Sequence, residues 1–279
     1  LPGIMARWCE FFCHLFPPIS PLLRMSDKLS RVSALAVVLA AGKGIRMKSE
    51  LPKVLVPVAG RPMIRYVIDA LRSASIARIV VVVGYREELV RAELAGEPGI
   101  EFALQSEQLG TGHAVMMCRG QLADSRGPVL VVAGDSPLLQ AKSVKTLIEN
   151  FSESGAACLL GTVDKQDPTS HGRIVRDDAG KFMAIVEEKD ATPDQRAIHE
   201  VNVSTYVFDS QQLLWALDRL TDQNSQKEYY ITDCPAILMA AGKSVIAEKV
   251  LQPCESMSIN NLDELASVEQ ELQRLASTR

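Results

Sequence analysis

The sequence predicts an α/β fold: a mostly parallel central sheet with helices on both faces and a small antiparallel insertion. Three observations carry this reading. Short, continuous apolar runs at residues 36–39, 79–83 and 129–133 read as strands buried on both faces. Segments with apolar residues at helical spacing separate them, as parallel strands require. After Gly155 the rhythm changes, and strand-like runs follow one another with little helix between.

Ala36-Val-Val-Leu39 is the first strand. Met63, Ile64, Val67, Ile68 and Leu71 recur every three or four residues and form one apolar helical stripe. The β-branched run 79–83 is closed by Gly84, and a helix follows over 86–94. A short strand at 101–105 leads to a helix from His113. Val129-Leu-Val-Val-Ala133 is another buried strand, and a helix covers 141–151. Residues 157–163, 173–175, 182–186 and 201–208 are strand-like and make the insertion, and helices return at 211–220 and 232–241. The last segment opens at Asn261-Leu-Asp-Glu264, a capping-box-like start. Leu262, Leu265, Val268, Leu272 and Leu275 then form its apolar stripe. No repeat, Gly/Ser linker or low-complexity tract interrupts this order, so residues 34–279 are expected to form one domain.

The 279 residues are 47% hydrophobic and 23% charged, which allows one large core. The 30 Lys and Arg against 34 Asp and Glu give a net charge of −4. That balance fits a soluble cytoplasmic protein and disfavours general nucleic-acid binding, which needs a basic surface. A small polyanionic substrate stays compatible, because a few local cations outweigh a weak net charge. No run reaches the ~18 apolar residues of a membrane span. Of the six cysteines only Cys9 and Cys13 are close, and no second pair completes a zinc site, so buried free thiols are expected.

Residues 1–33 read as an N-terminal extension, disordered or not native. Its apolar part is interrupted by Glu10, His14, Pro17, Pro18 and Pro21 and lacks the unbroken core and cleavage site of a signal peptide. Residues 1–24 are expected to lie outside the working fold, upstream of a start at Met25.

Leu39-Ala-Ala-Gly-Lys-Gly-Ile-Arg-Met47 follows the first strand, with Leu51-Pro-Lys-Val54 just beyond. Small residues at a strand's carboxyl end let backbone N–H groups approach phosphate oxygens. Arg46 and Lys53 would then place two cations on a triphosphate. The pattern is neither an NTPase P-loop nor a dinucleotide fingerprint. A plain strand-to-loop turn with two solvated cations is the other reading of the same residues.

With Pro52-Lys53, this loop looks like the signature of sugar-nucleotide and related nucleotidyltransferases. Further motifs occur in order: Gln105-Ser-Glu-Gln-Leu-Gly-Thr-Gly-His-Ala114, Gly134-Asp-Ser-Pro137, Ile185-Val-Glu-Glu-Lys-Asp-Ala191, Glu228-Tyr-Tyr-Ile-Thr-Asp233 and Ile259-Asn-Asn261. Together they resemble the uridylyltransferase domain of the bacterial N-acetylglucosamine-1-phosphate uridylyltransferases, from about Ala34 to the end. The resemblance implies a Rossmann-like nucleotidyltransferase fold and a Mg²⁺-dependent reaction of UTP with N-acetylglucosamine 1-phosphate. The expected products are UDP-N-acetylglucosamine, a cell-wall precursor, and pyrophosphate.

The resemblance also implies roles. Arg46 and Lys53 are the catalytic cations. Leu39, Ala40, Ala41 and Gly42 offer backbone to the nucleotide, with Lys53 on its phosphates. Gln105, Gly110 and Thr111 meet uracil, for which an amide supplies both donor and acceptor. Ala133 and Gly134 flank the ribose and metal, and Asp135 and Asn260 are the Mg²⁺ ligands. Gly172, Glu187 and Asn202, with Asn260, contact the sugar. Without the resemblance, Asp135 reads as a turn or cap residue. No general base is expected, since a sugar 1-phosphate is already anionic at pH 7. The histidines (His14, His113, His171, His199) suggest no triad.

Some positions depart from the family's usual pattern. Ile45 stands where Thr is common. Ser170-His171-Gly172-Arg173 replaces Gly-Tyr-Gly-Arg, Asn202-Val203-Ser204 replaces Asn-Thr-Gly, and Lys227 replaces the Gly ahead of Glu-Tyr-Tyr. Most departures fall toward the acceptor, leaving a different sugar 1-phosphate as an alternative. A non-catalytic nucleotide-sugar binding protein is another. No hexapeptide repeat follows Leu262, so neither acetyl transfer nor the associated trimer is expected, and a monomer is the simplest state.

Overall fold

The computed structural model describes residues 33–44, 49–224, 226–259 and 261–277. The extension up to Val32, Cys9, Cys13, Arg46 and Asn260 lie outside the described residues.

Strand β1 (Leu35–Ala40) leads through a short β2–β3 hairpin (Pro57–Val58, Arg61–Pro62) into α1 (Met63–Ser73). All five apolar residues of the α1 stripe are buried. Next come β4 (Arg78–Val83), α2 (Glu87–Glu93), β5 (Ile100–Leu104), α3 (Thr111–Met116), α4 (Arg119–Asp124) and β6 (Pro128–Ala133). Helix α2 starts one residue later than its sequence pattern suggests, because Arg86 is left-handed (φ 47°). Then α5 (Ala141–Ser154) ends on Gly155, also left-handed, and β7 (Cys158–Asp164) follows. The antiparallel β8 (Gly172–Arg176) and β9 (Phe182–Val186) precede the single turn α6 (Pro193–Arg196) and the long β10 (Glu200–Asp209).

Asp209 caps α7 (Ser210–Leu217), its carboxylate accepting from the backbone N–H groups of Gln211 and Gln212. The chain closes with α8 (Asp233–Ala240), β11 (Val245–Glu248) and α9 (Leu262–Ser277). Asn261 caps α9 through its Oδ1, which accepts from the Glu264 N–H at 2.9 Å. Strand β11 has no clear sequence signature: four residues between two loops acquire their extended form by parallel pairing with β7.

The main sheet runs β11-β7-β10-β6-β1-β4-β5, with β8 joined to β10 and β9. Strands β6, β1, β4 and β5 are mutually parallel, and β10 is antiparallel to β6 and β7. The continuous apolar runs are explained by cover on both faces. Leu35 and Val37 pack with Val80, Val131 and the residues of α3, α7 and α8. Ala36, Val38 and Ala40 pack on the other face with Val81, Val132, α1 and α5. A smaller cluster joins Val58, Met63, Leu138, Cys254, Ile259 and Val268 of α9. Cys118, Cys158, Cys234 and Cys254 are buried free thiols, as expected, and burial pushes each upward, Cys118 to about 12. Among the described residues no helix is long and apolar enough to cross a membrane.

One buried ion pair ties the insertion to the sheet. Arg176 on β8 donates from Nε and Nη2 to both oxygens of Glu200 (2.8 and 2.6 Å), and from Nη2 to the Ala247 carbonyl of β11 (2.8 Å). Thr162 Oγ1 on β7 donates to the same carboxylate at 2.6 Å. Burial works against the Glu200 charge, but these hydrogen bonds and the Arg176 charge prevail and hold its pKa below the usual glutamate value. The resulting stabilisation is present above the unfolded value and is lost as pH falls through the lowered folded one. Glu200→Gln would leave the half-buried guanidinium without its counter-charge. We expect a loss on the order of 3 kcal/mol by chemical denaturation, with the difference from the native chain shrinking as the medium is acidified below about pH 4.

Candidate functional site

In an open α/β sheet, ligands bind beyond the carboxyl ends of the strands, where strand order reverses. That reversal lies at β1: the chain builds outward through β4 and β5, then returns to place β6 on β1's other side. Hydrogen bonds continue past the strand ends and fix the loops there. Gly134 N–H donates to the Leu39 carbonyl (2.8 Å), Tyr85 N–H to Ala41 (3.0 Å), and Gln105 N–H to Val83 (2.8 Å). Residues 39–42, 105 and 133–135 are thereby collected at one end of the sheet.

Lys53 reaches this crevice from a single 3-10 turn (Lys53–Leu55). Its Nζ lies 2.5 Å from Asp135 Oδ2, both side chains being largely shielded. Gly44 makes the approach possible: it is left-handed (φ 66°), and a Cβ there would stand 2.7 Å from Lys53 Cβ. A half-buried carboxylate at the mouth of the crevice thus already faces a cation. Among the described residues no three His, Cys, Asp or Glu side chains form a metal cluster. Asp135 offers carboxylate oxygens, the ligand type a hard divalent ion takes together with phosphate oxygens and water.

The motif from Gln105 forms the next wall. Gln105 is 3% exposed, and its Nε2 donates to the Gly110 carbonyl at 3.0 Å and lies 3.1 Å from His113 Nδ1. The loop is stapled to the Glu228-Tyr-Tyr-Ile segment. Gly112 N–H donates to the Tyr229 carbonyl (2.7 Å), Tyr229 N–H to Leu109 (2.8 Å), and Ile231 N–H to Thr111 Oγ1 (3.1 Å). Gly110 (φ 102°) has no room for a side chain, since a Cβ would meet the Tyr229 carbonyl at 2.5 Å. The tyrosine motif was visible in the sequence without a role; its backbone supplies one.

Strand β10 runs antiparallel to β6 and projects past the β6 carboxyl end, carrying Asn202 to the same side as Asp135. Asn202 is the ladder partner of Gly172, and a Cβ on Gly172 would lie 3.4 Å from Glu187 Oε1. Gly172, Glu187 and Asn202 are therefore brought together. Burial, then Asp190 and Asp233, push the Glu187 carboxyl above its ordinary value, although its side chain keeps an open path to solvent. Burial alone does the same to Asp233.

Two supporting groups had no sequence signal. Asn202 Nδ2 donates to the Tyr206 hydroxyl at 2.8 Å inside the sheet. Glu255 accepts from the Gln140 N–H (3.0 Å), Ser143 Oγ (2.6 Å) and the Gln252 N–H (2.7 Å). It joins the end of the Asp135 loop to the turn that precedes Asn260. Lys165 Nζ and His171 Nε2 approach the Ser256 carbonyl in that turn (3.0 and 3.2 Å), and burial lowers the pKa of both.

Residues 36–231 match the MobA-like NTP transferase domain. The chain is 48% identical over 238 residues to the bifunctional protein GlmU of Heliobacterium modesticaldum, covering 85% of this chain and 52% of that one. It is 43% identical over 239 residues to the protein of the same name from Listeria innocua serovar 6a, covering 86% and 52%. The chain thus spans about half the length of the curated relatives it matches. In fold it is similar to apo UDP-glucose pyrophosphorylase, with a TM-score of 0.70 at 15% identity over 88% of this chain and 99% of that one. It is also similar to UDP-glucose pyrophosphorylase complexed with UDP-glucose, with a TM-score of 0.69 at 15% identity over 87% and 99%.

The three positions where a customary glycine is replaced, Ser170, Ser204 and Lys227, keep left-handed backbones (φ 68°, 55° and 57°). A side chain there is strained by the proximity of its Cβ to the carbonyl oxygen. Ser170→Gly, Ser204→Gly and Lys227→Gly are each expected to raise stability by about 0.5–1 kcal/mol, glycine's larger unfolded-state entropy offsetting part of the relief. Denaturant midpoints of the three variants check this.

Proposed function

The chain belongs to the MobA-like NTP transferase domain family, and on that premise we propose that residues 34–279 transfer uridylyl from UTP to N-acetylglucosamine 1-phosphate. The observation that carries the reading is the Lys53–Asp135 pair at the strand-order reversal, between the Gln105 wall and the Gly172–Glu187–Asn202 group.

The acceptor's phosphate oxygen attacks the α-phosphorus of UTP, the α–β phosphoanhydride bond breaks, and pyrophosphate leaves with the bond's electron pair. No proton has to be removed first. The task is to bring anions together and to stabilise charge on the leaving group. A bound divalent ion, Mg²⁺ in this reading, would supply Lewis-acid charge to the phosphates. Asp135 would hold it, with Asn260 as second ligand.

Lys53 would exchange its partner, from the Asp135 carboxylate to the triphosphate. Arg46 would act on the charge that builds in the transition state. Backbone at Leu39, Ala40, Ala41 and Gly42 would face the nucleotide, Ala133 and Gly134 the ribose, and Gln105, Gly110 and Thr111 the uracil. The acidic surroundings of Glu187 accept from sugar hydroxyls and repel phosphate. They would therefore orient the acceptor with its phosphate toward Lys53 and its ring toward Gly172, Glu187 and Asn202.

The departures at Ser170, His171, Val203 and Ser204 flank Gly172 and Asn202 in the sequence, and they favour a different sugar 1-phosphate as the second reading. A panel of sugar 1-phosphates with UTP, Mg²⁺ and a pyrophosphate readout separates the two. We expect N-acetylglucosamine 1-phosphate to give the highest kcat/KM; a better rate with another sugar would shift the assignment. Asp135→Ala and Arg46→Ala should each lower kcat roughly 100-fold or more with the fold retained, and near-normal turnover of either would remove that residue from the mechanism.

A further inference from the structure

Strand β10 contains an irregularity at Asn202. Against β7, Asn202 pairs with Thr162 and Tyr206 with Leu160, so two extra residues are accommodated on β10 between these pairs. Within that bulge Ser204 is left-handed and Asn202 and Tyr206 are buried, at 7% and 0% exposure. Such bulges re-aim side chains.

The side chain being aimed is the Asn202 amide. Its Oδ1 accepts from the Ser204 N–H at 3.3 Å, and its Nδ2 donates to the Tyr206 hydroxyl at 2.8 Å. A backbone N–H can only donate, so the oxygen of the amide must face Ser204 and the nitrogen must face the phenol. Burial pushes the Tyr206 phenol well up, which keeps it a neutral hydroxyl, and the Ser204 side chain adjoins it. One N–H and one lone pair of Asn202 remain for a ligand.

We propose that Tyr206 is a positioning residue for acceptor recognition: by accepting from Nδ2 it secures the Asn202 amide in the orientation that the Ser204 N–H selects, and so fixes which polar atom meets the sugar of the sugar 1-phosphate. This rests on the transferase reading above and names a residue with no ligand contact of its own. Opposite Asn202 lie Gly172 and, beside it, Glu187. An amide free to flip would present a donor and an acceptor interchangeably to that space, and discrimination between sugars that differ in one polar substituent would fall.

The test is a double-mutant cycle of Y206F and N202A, read as KM for each sugar 1-phosphate, KM for UTP and kcat. Y206F should raise the KM of the preferred acceptor by up to tenfold, about 1.4 kcal/mol. It should narrow the preference over other sugar 1-phosphates and leave KM for UTP within twofold. In the N202A background the same change should have no further effect on acceptor KM, because Tyr206 acts through Asn202. An unchanged acceptor KM in Y206F, or additive effects in the cycle, would overturn the inference. A merely structural role would instead lower stability and affect both substrates together. If Y206F is too unstable to assay, the cycle is run in the S204G background, where backbone strain is relieved. If the native chain releases pyrophosphate with no sugar 1-phosphate, the transferase reading falls and this inference with it; turnover with an additive cycle overturns this inference alone.

Discussion

Parallel pairing of β1 with β4 on one side and β6 on the other constrains everything else in the molecule. It requires crossovers, and the crossovers put helices on both faces, so the strands are apolar throughout. It also leaves the loops at the carboxyl ends as the place where chemistry can be arranged. Backbone bonds from Tyr85, Gln105 and Gly134 draw those loops onto the sheet. The described part of the site is an extension of the sheet.

Two sets of charges of opposite character are mounted on that frame. Lys53 stands against Asp135, where phosphates and a metal would compete for each partner. Glu187 stands with Asp190 and Asp233 in an acidic group near Gly172 and Asn202, and the Glu187 and Asp233 carboxyls are held above their ordinary values. In the proposed reaction, that polarity would orient an acceptor that is anionic at one end and hydroxylated at the other. Behind it, the bonds of Glu255 and Tyr206 hold loops and side chains whose own contacts would be with ligand.

The main sheet and most helices were legible in the sequence because burial on both faces writes itself as uninterrupted Val, Ile and Leu. The α1 stripe was legible because Met63, Ile64, Val67, Ile68 and Leu71 keep one face. Strand β11 was not, since Val245-Ile-Ala-Glu248 becomes a strand only through its partner β7. At the candidate site, motifs singled out Lys53, Asp135, Gln105 and Asn202, and these residues lie at the same end of the sheet, with Lys53 and Asp135 in contact. Tyr206 and Glu255 were missed because nothing local marks a phenol or a carboxylate whose partners lie across a bulge or more than 100 residues away. The glycine replacements were visible, but their retained left-handed backbones were not.

The chemistry proposed for this crevice is the joining of a uridylyl group to a sugar phosphate. Phosphorus NMR of the protein with UTP, N-acetylglucosamine 1-phosphate and Mg²⁺ tests it most directly. The account predicts UDP-sugar and pyrophosphate resonances growing in equal amounts, at the expense of both substrates. Pyrophosphate appearing with UMP in place of UDP-sugar, or no change in either substrate, would contradict it.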